Sequence, residues 1–127
     1  MKDIYSILVR SHAGLLCLLF ICILPVTAFG HAFPVTSEPK VGSTVPIAPP
    51  LVRIWFDGAL EPAFCTIVVQ DTQGKKVDSG DGSVSPSDDT LLQTKVQSLP
   101  KGKYRVIWKV VARDGHRTEG DYTFEIK

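Results

Sequence analysis

A chain of 127 residues has room for one domain and not for two ordinary ones. Its 14 basic and 13 acidic side chains nearly cancel, which argues against nucleic acid or an anionic membrane surface as the main partner. Of its three cysteines, Cys17 and Cys22 fall in the opening apolar segment, and Cys65 alone is left for the rest of the chain.

The first thirty residues read as a secretory signal peptide rather than as part of the domain. Lys2 and Arg10 give a positive start, and residues 13–26 (AGLLCLLFICILPV) are almost wholly apolar. That run is short for a membrane-spanning helix. Ala28-Phe29-Gly30 then offers small residues at the two positions a signal peptidase requires. A lipoprotein would need a small residue before its cysteine, whereas Leu16 precedes Cys17 and Ile21 precedes Cys22. An uncleaved anchor is the plain alternative; cleavage after Gly30 is the reading adopted, and it makes His31 the first residue of the domain 31–127. Losing Lys2, Arg10 and Asp3 leaves twelve basic and twelve acidic residues, a formally neutral mature chain. One cysteine forms no intramolecular disulfide, so 97 residues must hold together through their hydrophobic core, which is feasible at this size.

Beyond His31 the chain alternates extended apolar runs with turn-rich breaks. Val52, Ile54 and Phe56 alternate with Arg53 and Trp55, and Cys65, Ile67 and Val69 share a parity. Leu92, Thr94 and Val96 follow, then Tyr104, Val106, Trp108 and Val110, and finally Tyr122, Phe124 and Ile126. Period-two spacing of β-branched and aromatic residues predicts half-buried strands. Pro and Gly punctuate them at 46–50, Asp57-Gly58, Gln73-Gly74 and 100–102. Residues 79–89 (SGDGSVSPSDD) read as one exposed, solvated loop, because a calcium loop starting at Asp78 would put glycines at ligand positions. The pattern predicts an all-β, immunoglobulin-like sandwich.

Two features of the domain could carry chemistry. A histidine at a chain start offers both its α-amine and its imidazole Nδ1, two nitrogens that can close a chelate ring on one ion. Near the other end, Asp114-Gly115-His116 supplies a second imidazole with a carboxylate two residues before it. On an extended backbone, both side chains would leave on the same side. Three nitrogens with a carboxylate or water suit Cu(II), while zinc accepts the same donors but gains less from a planar array. Each feature also has an ordinary explanation: an incidental first residue, and an Asp-Gly turn. Cys65 shares the parity of Ile67 and Val69 and reads as a buried structural thiol. Trp55 and Trp108 read as packing residues. No hydrolase elbow, phosphate loop or paired catalytic carboxylate is present, so no enzyme is predicted.

These residues resemble the CopC family (CopC and PcoC), periplasmic copper-binding proteins of copper resistance and homeostasis. The resemblance rests on His31-Ala32, on Ser37-Glu38-Pro39-Lys40-Val41-Gly42-Ser43, and on residues 49–56 (PPLVRIWF). It is most specific from Gly102-Lys103-Tyr104-Arg105-Val106-Ile107-Trp108 through Asp114-Gly115-His116 to Gly120-Asp121-Tyr122-Thr123-Phe124. It implies a seven-stranded Greek-key sandwich, with a cupredoxin-like topology as the alternative strand order. It also implies one Cu(II) per chain, held by the His31 amine and imidazole and the His116 imidazole, with Asp114 a ligand or close partner. A periplasmic, monomeric carrier or buffer with no catalytic turnover follows, with a CopD-type inner-membrane copper transport protein as partner. Where some members carry a glutamate after the strand ending here at Phe56, this chain has Asp57-Gly58, so a ligand from that region is not expected. Other members hold Cu(I) in a methionine-rich loop; residues 70–89 contain no methionine, so no Cu(I) site is expected. Two other classes compete with the carrier. One is a copper-dependent oxidative enzyme with a histidine-brace site, as in lytic polysaccharide monooxygenases. The other is a metal-free immunoglobulin-like interaction module.

Overall fold

Side chains of alternate parity in each apolar run are buried, and the runs form strands. The computed structural model describes residues 31–127, so the expected signal segment, 1–30, lies outside the described residues. The strands are β1 (Pro34–Glu38), β2 (Thr44–Val45), β3 (Leu51–Phe56), β4 (Thr66–Gln70), β5 (Ser83–Ser85), β6 (Asp88–Lys95), β7 (Gly102–Val111) and β8 (Arg117–Ile126). A single 3₁₀ turn, Pro62–Phe64, leads into β4.

The strands form two four-stranded sheets, ordered β1-β3-β6-β5 and β2-β8-β7-β4. This is the immunoglobulin arrangement of A-B-E-D facing C-F-G, with β2 added in parallel to the end of β8. Of the two strand orders weighed from the resemblance, the immunoglobulin one is formed. Among the described residues there are eight strands rather than seven, β2 being a pairing of only two residues.

The facing sides make one core. Val52, Ile54 and Phe56 from β3 and Leu92 from β6 meet Ile67, Val69, Val106, Trp108, Val110 and Phe124 from the other sheet. Phe56 and Trp108 join the layers edge to face, with ring centroids 5.3 Å apart, a geometry the ring quadrupoles favour. Gly120 makes room for Trp108, since a Cβ there would lie 2.7 Å from Cζ2 of the indole. Tyr104, near the start of β7, donates its hydroxyl to the Pro100 carbonyl at 2.6 Å, the tyrosine corner of immunoglobulin-like sandwiches. Cys65 is buried, and its thiol donates to the Glu61 carbonyl at 3.1 Å. Burial pushes that thiol above the ordinary cysteine range.

One segment departs from expectation. Residues 79–89 are not simply an exposed loop: β5 lies within them, pairs with β6, and buries Val84 and Ser85. Its only apolar residue is Val84, too little to show a period, and carboxylates do the organising instead. Asp78 accepts from the backbone N–H of Val69 and of Gly80, both at 2.9 Å. Asp81 accepts from Lys95 N–H at 3.0 Å and from the Thr94 hydroxyl at 3.1 Å. These bonds hold the Asp81 carboxyl below its ordinary range, the Lys95 N–H contributing most.

Candidate metal centre

Strands β7 and β8 pair in register from Gly102↔Ile126 to Val111↔Arg117, the longest ladder in the fold. The chain reverses between them through residues 112–116. The Ala112 N–H donates to the His116 carbonyl at 2.9 Å, and the Gly115 N–H to the Ala112 carbonyl at 2.8 Å. Gly115 has a φ of +90°, a left-handed conformation that glycine adopts without steric cost. Asp114 and His116 therefore sit on a turn and not on an extended backbone as expected. They come together by turn chemistry. Asp114 Oδ1 accepts from the His116 backbone N–H at 3.0 Å, and Oδ2 lies 3.0 Å from His116 Nδ1. The Asp114 carboxyl is held below the usual carboxylate range, first by the His116 backbone N–H and further by both imidazoles.

His31 comes to this turn from the other end of the described chain. Its ring centroid is 4.2 Å from that of His116, the planes tilted by 41°. The Phe33 ring stacks with that of His31, their centroids 5.8 Å apart. Just behind it the chain is tied down three times. Ala32 is buried at 1 % exposure, and its carbonyl accepts from the Thr118 hydroxyl at 2.8 Å. Phe33 exchanges two bonds with Asp57: its N–H donates to Asp57 Oδ1 at 2.6 Å, and its carbonyl accepts from the Asp57 N–H at 2.9 Å. The Asp57-Gly58 dipeptide thus closes onto residues 31–33, with Gly58 packed against the His31 carbonyl and Ala32.

Metal–imidazole bonds are about 2.0 Å long, so two imidazoles sharing an ion bring their nitrogens within about 3–4 Å. The ring centroids of His31 and His116, 4.2 Å apart, bring the two imidazoles to one place. Among the described residues, no group of three or more His, Cys, Asp or Glu side chains is arranged to hold a metal ion. Cys65 is bonded to the Glu61 and Val111 carbonyls instead.

The structure brings His31, Asp114 and His116 to one end of the sandwich. Sequence reasoning missed the bonds that Thr118 and Asp57 make to Ala32 and Phe33. Thr118 was detectable in principle, since it follows His116 by two residues on β8; Asp57 looked like one half of a turn dipeptide.

An immunoglobulin-like sandwich with a histidine pair where residue 31 meets the β7–β8 hairpin is the class that fold and site define. The CopC domain family matches residues 34–127, and the chain belongs to this family. The match begins three residues after His31. The chain is 34 % identical over 118 residues to the copper transport protein CutJ of Bacillus subtilis, covering 92 % of this chain and 22 % of that much longer protein. It is 30 % identical over 111 residues to the copper resistance protein C of Escherichia coli, covering 77 % of this chain and 88 % of the relative. Among solved structures, CopC of Methylosinus trichosporium OB3b superposes with a TM-score of 0.68 at 32 % identity, over 76 % of this chain and 94 % of that one. PcoC of Escherichia coli, described as a methionine-rich copper resistance protein, gives 0.66 at 28 % identity, over 77 % and 100 %. This chain has one methionine, Met1.

Proposed function

We propose that this protein is an exported copper carrier or buffer that holds one Cu(II) at the chain start. In this reading, signal peptidase cuts after Gly30 and frees the His31 amine. The amine and imidazole of His31 and the imidazole of His116 bind the ion. Asp114 engages His116 Nδ1 and leaves the ligand role to Nε2, as carboxylates behind metal-bound histidines commonly do. The observation that carries the reading is the 4.2 Å approach of two imidazoles from opposite ends of the domain. Membership of a family whose relatives are named for copper transport and resistance supplies the metal. The protein resides in the periplasm as a monomer, turns over no substrate, and passes its ion to an inner-membrane protein of the CopD type.

The test is to express the full precursor and recover the exported protein. Its mass and its copper content should be measured on the same sample. A mass corresponding to residues 31–127 with one Cu(II) per chain is expected. A different start, or a processed protein that binds no copper, would overturn the reading. Adding one residue before His31 keeps the imidazole but removes the amine from the chelate, so Cu(II) binding should weaken sharply. Unchanged affinity would take the amine out of the site.

A further inference from the structure

We infer that Asp57 and Thr118 are positioning residues for the His31 amine, a two-point clamp that builds the metal site before any ion arrives. The inference rests on the copper site proposed above and goes beyond it, because neither residue need touch the ion. A chain terminus is ordinarily its most mobile part, since little holds it. Two nitrogens on a mobile terminus would have to be ordered at the moment of binding, and that entropy would be lost from the affinity.

Here the ordering is done in advance and from both sheets. Thr118, on β8, donates its hydroxyl to the Ala32 carbonyl at 2.8 Å. Asp57, at the end of β3, accepts the Phe33 N–H at 2.6 Å and returns a bond from its own N–H to the Phe33 carbonyl at 2.9 Å. Ala32 sits between these anchors with its side chain in the core. The residue before a clamped, buried Ala32 has few directions to leave in, and His31 leaves toward His116. Because Thr118 lies on β8 only two residues beyond His116, the anchor and the second imidazole belong to one short segment. Asp57 Oδ1 accepts the Phe33 backbone N–H, so Asp57 acts on the site through Phe33.

The test uses the exported, processed protein, Cu(II) alone and a competing chelator, with His116→Ala as a reference. Asp57→Ala combined with Thr118→Val should weaken Cu(II) binding by about 10- to 100-fold, the range for partners that hold a ligand in place. Thermal unfolding should stay near that of the parent. Asp57→Asn and Thr118→Ser keep an acceptor and a donor at the same positions and should restore binding. Without copper, the Phe33 amide should exchange faster with solvent in Asp57→Ala, and the His31 ring protons should lose the shift that the nearby His116 ring imposes. If the double variant loses its fold, the single variants report the same quantities. Unchanged affinity in the double variant, with His116→Ala weakened, overturns the clamp and spares the copper site. A loss in Asp57→Asn as large as in Asp57→Ala, with an altered Cu(II) paramagnetic resonance spectrum, makes Asp57 a ligand and also overturns it. If the parent binds no Cu(II), or His116→Ala binds like the parent, the copper reading fails. The copper-free spectra then judge the clamp alone, and His31 shifts unchanged in the double variant would end it.

Discussion

His116 and Asp114 are neighbours with unequal work, and their substitutions should differ accordingly. His116→Ala removes an imidazole from the proposed site but little from the core, because its side chain is 41 % exposed. It should abolish or strongly weaken Cu(II) binding with thermal stability nearly unchanged, read by chelator competition and calorimetry. Asp114→Ala should cost less affinity, about 10-fold, because it frees the orientation of the ring without removing a nitrogen. Cys65→Ala should leave Cu(II) binding unaltered and destabilise the fold by about 1 kcal/mol through a small cavity. Tyr122 supplies a pH test away from the metal. Burial pushes its hydroxyl up to about 12, whereas an unfolded tyrosine ionises near 10. The folded state thus keeps its proton while the unfolded chain loses it. The associated stability is complete below about pH 10 and falls as pH rises toward 12, by about 2–3 kcal/mol in all. Denaturant melts across that window should show a shallower decline for Tyr122→Phe than for the parent.

At the scale of elements, two turns do work that their composition conceals. The β7–β8 turn must pass through the left-handed conformation at Gly115 to carry His116 back toward the chain start. Gly115→Val would place a β-branched side chain there at a cost of about 1–3 kcal/mol. It should lower copper affinity more than Gly74→Val, which strains a comparable φ of +78° remote from the histidines. Parallel copper titrations and melts of the two variants would separate turn strain from site geometry. The β4–β5 connection depends on Asp78, whose side chain is fully buried and accepts from two backbone N–H groups. Charge-assisted bonds of this kind are each worth about 1.5–3 kcal/mol. Asp78→Ala should therefore lower the midpoint of unfolding while leaving the copper affinity intact, since β5 lies at the far edge of its sheet from β1.

The molecule as a whole presents one potential metal end on an otherwise conventional sandwich, with no thioether loop. The processed chain would contain no methionine, and its one thiol is buried. Cu(I) needs several soft donors or an accessible thiolate, so reduction of the loaded protein should release copper. A titration against a Cu(I) chelator checks this. Tight Cu(I) retention that vanishes in Cys65→Ala would show the thiol to be a ligand.

Much of the sandwich was legible in the sequence because a strand with one buried face writes itself as alternation. The parity of Ile54, Val69, Val106 and Phe124 assigned each to the interior, and each is there. The family block around Asp114-Gly115-His116 likewise marked the segment that holds the candidate ligands, while its turn conformation was decided by the structure. Other elements were decided only by tertiary structure, because their partners are far away in the chain. β1 exposes four of its five residues and β5 contains a single apolar side chain, so neither carries a period; both exist because β3 and β6 offer backbone edges to pair with. The same holds for the clamp. Thr118 and Asp57 are unremarkable polar residues until folding brings the Ala32 carbonyl and the Phe33 N–H against them, since a hydrogen bond across the domain leaves no local pattern to read.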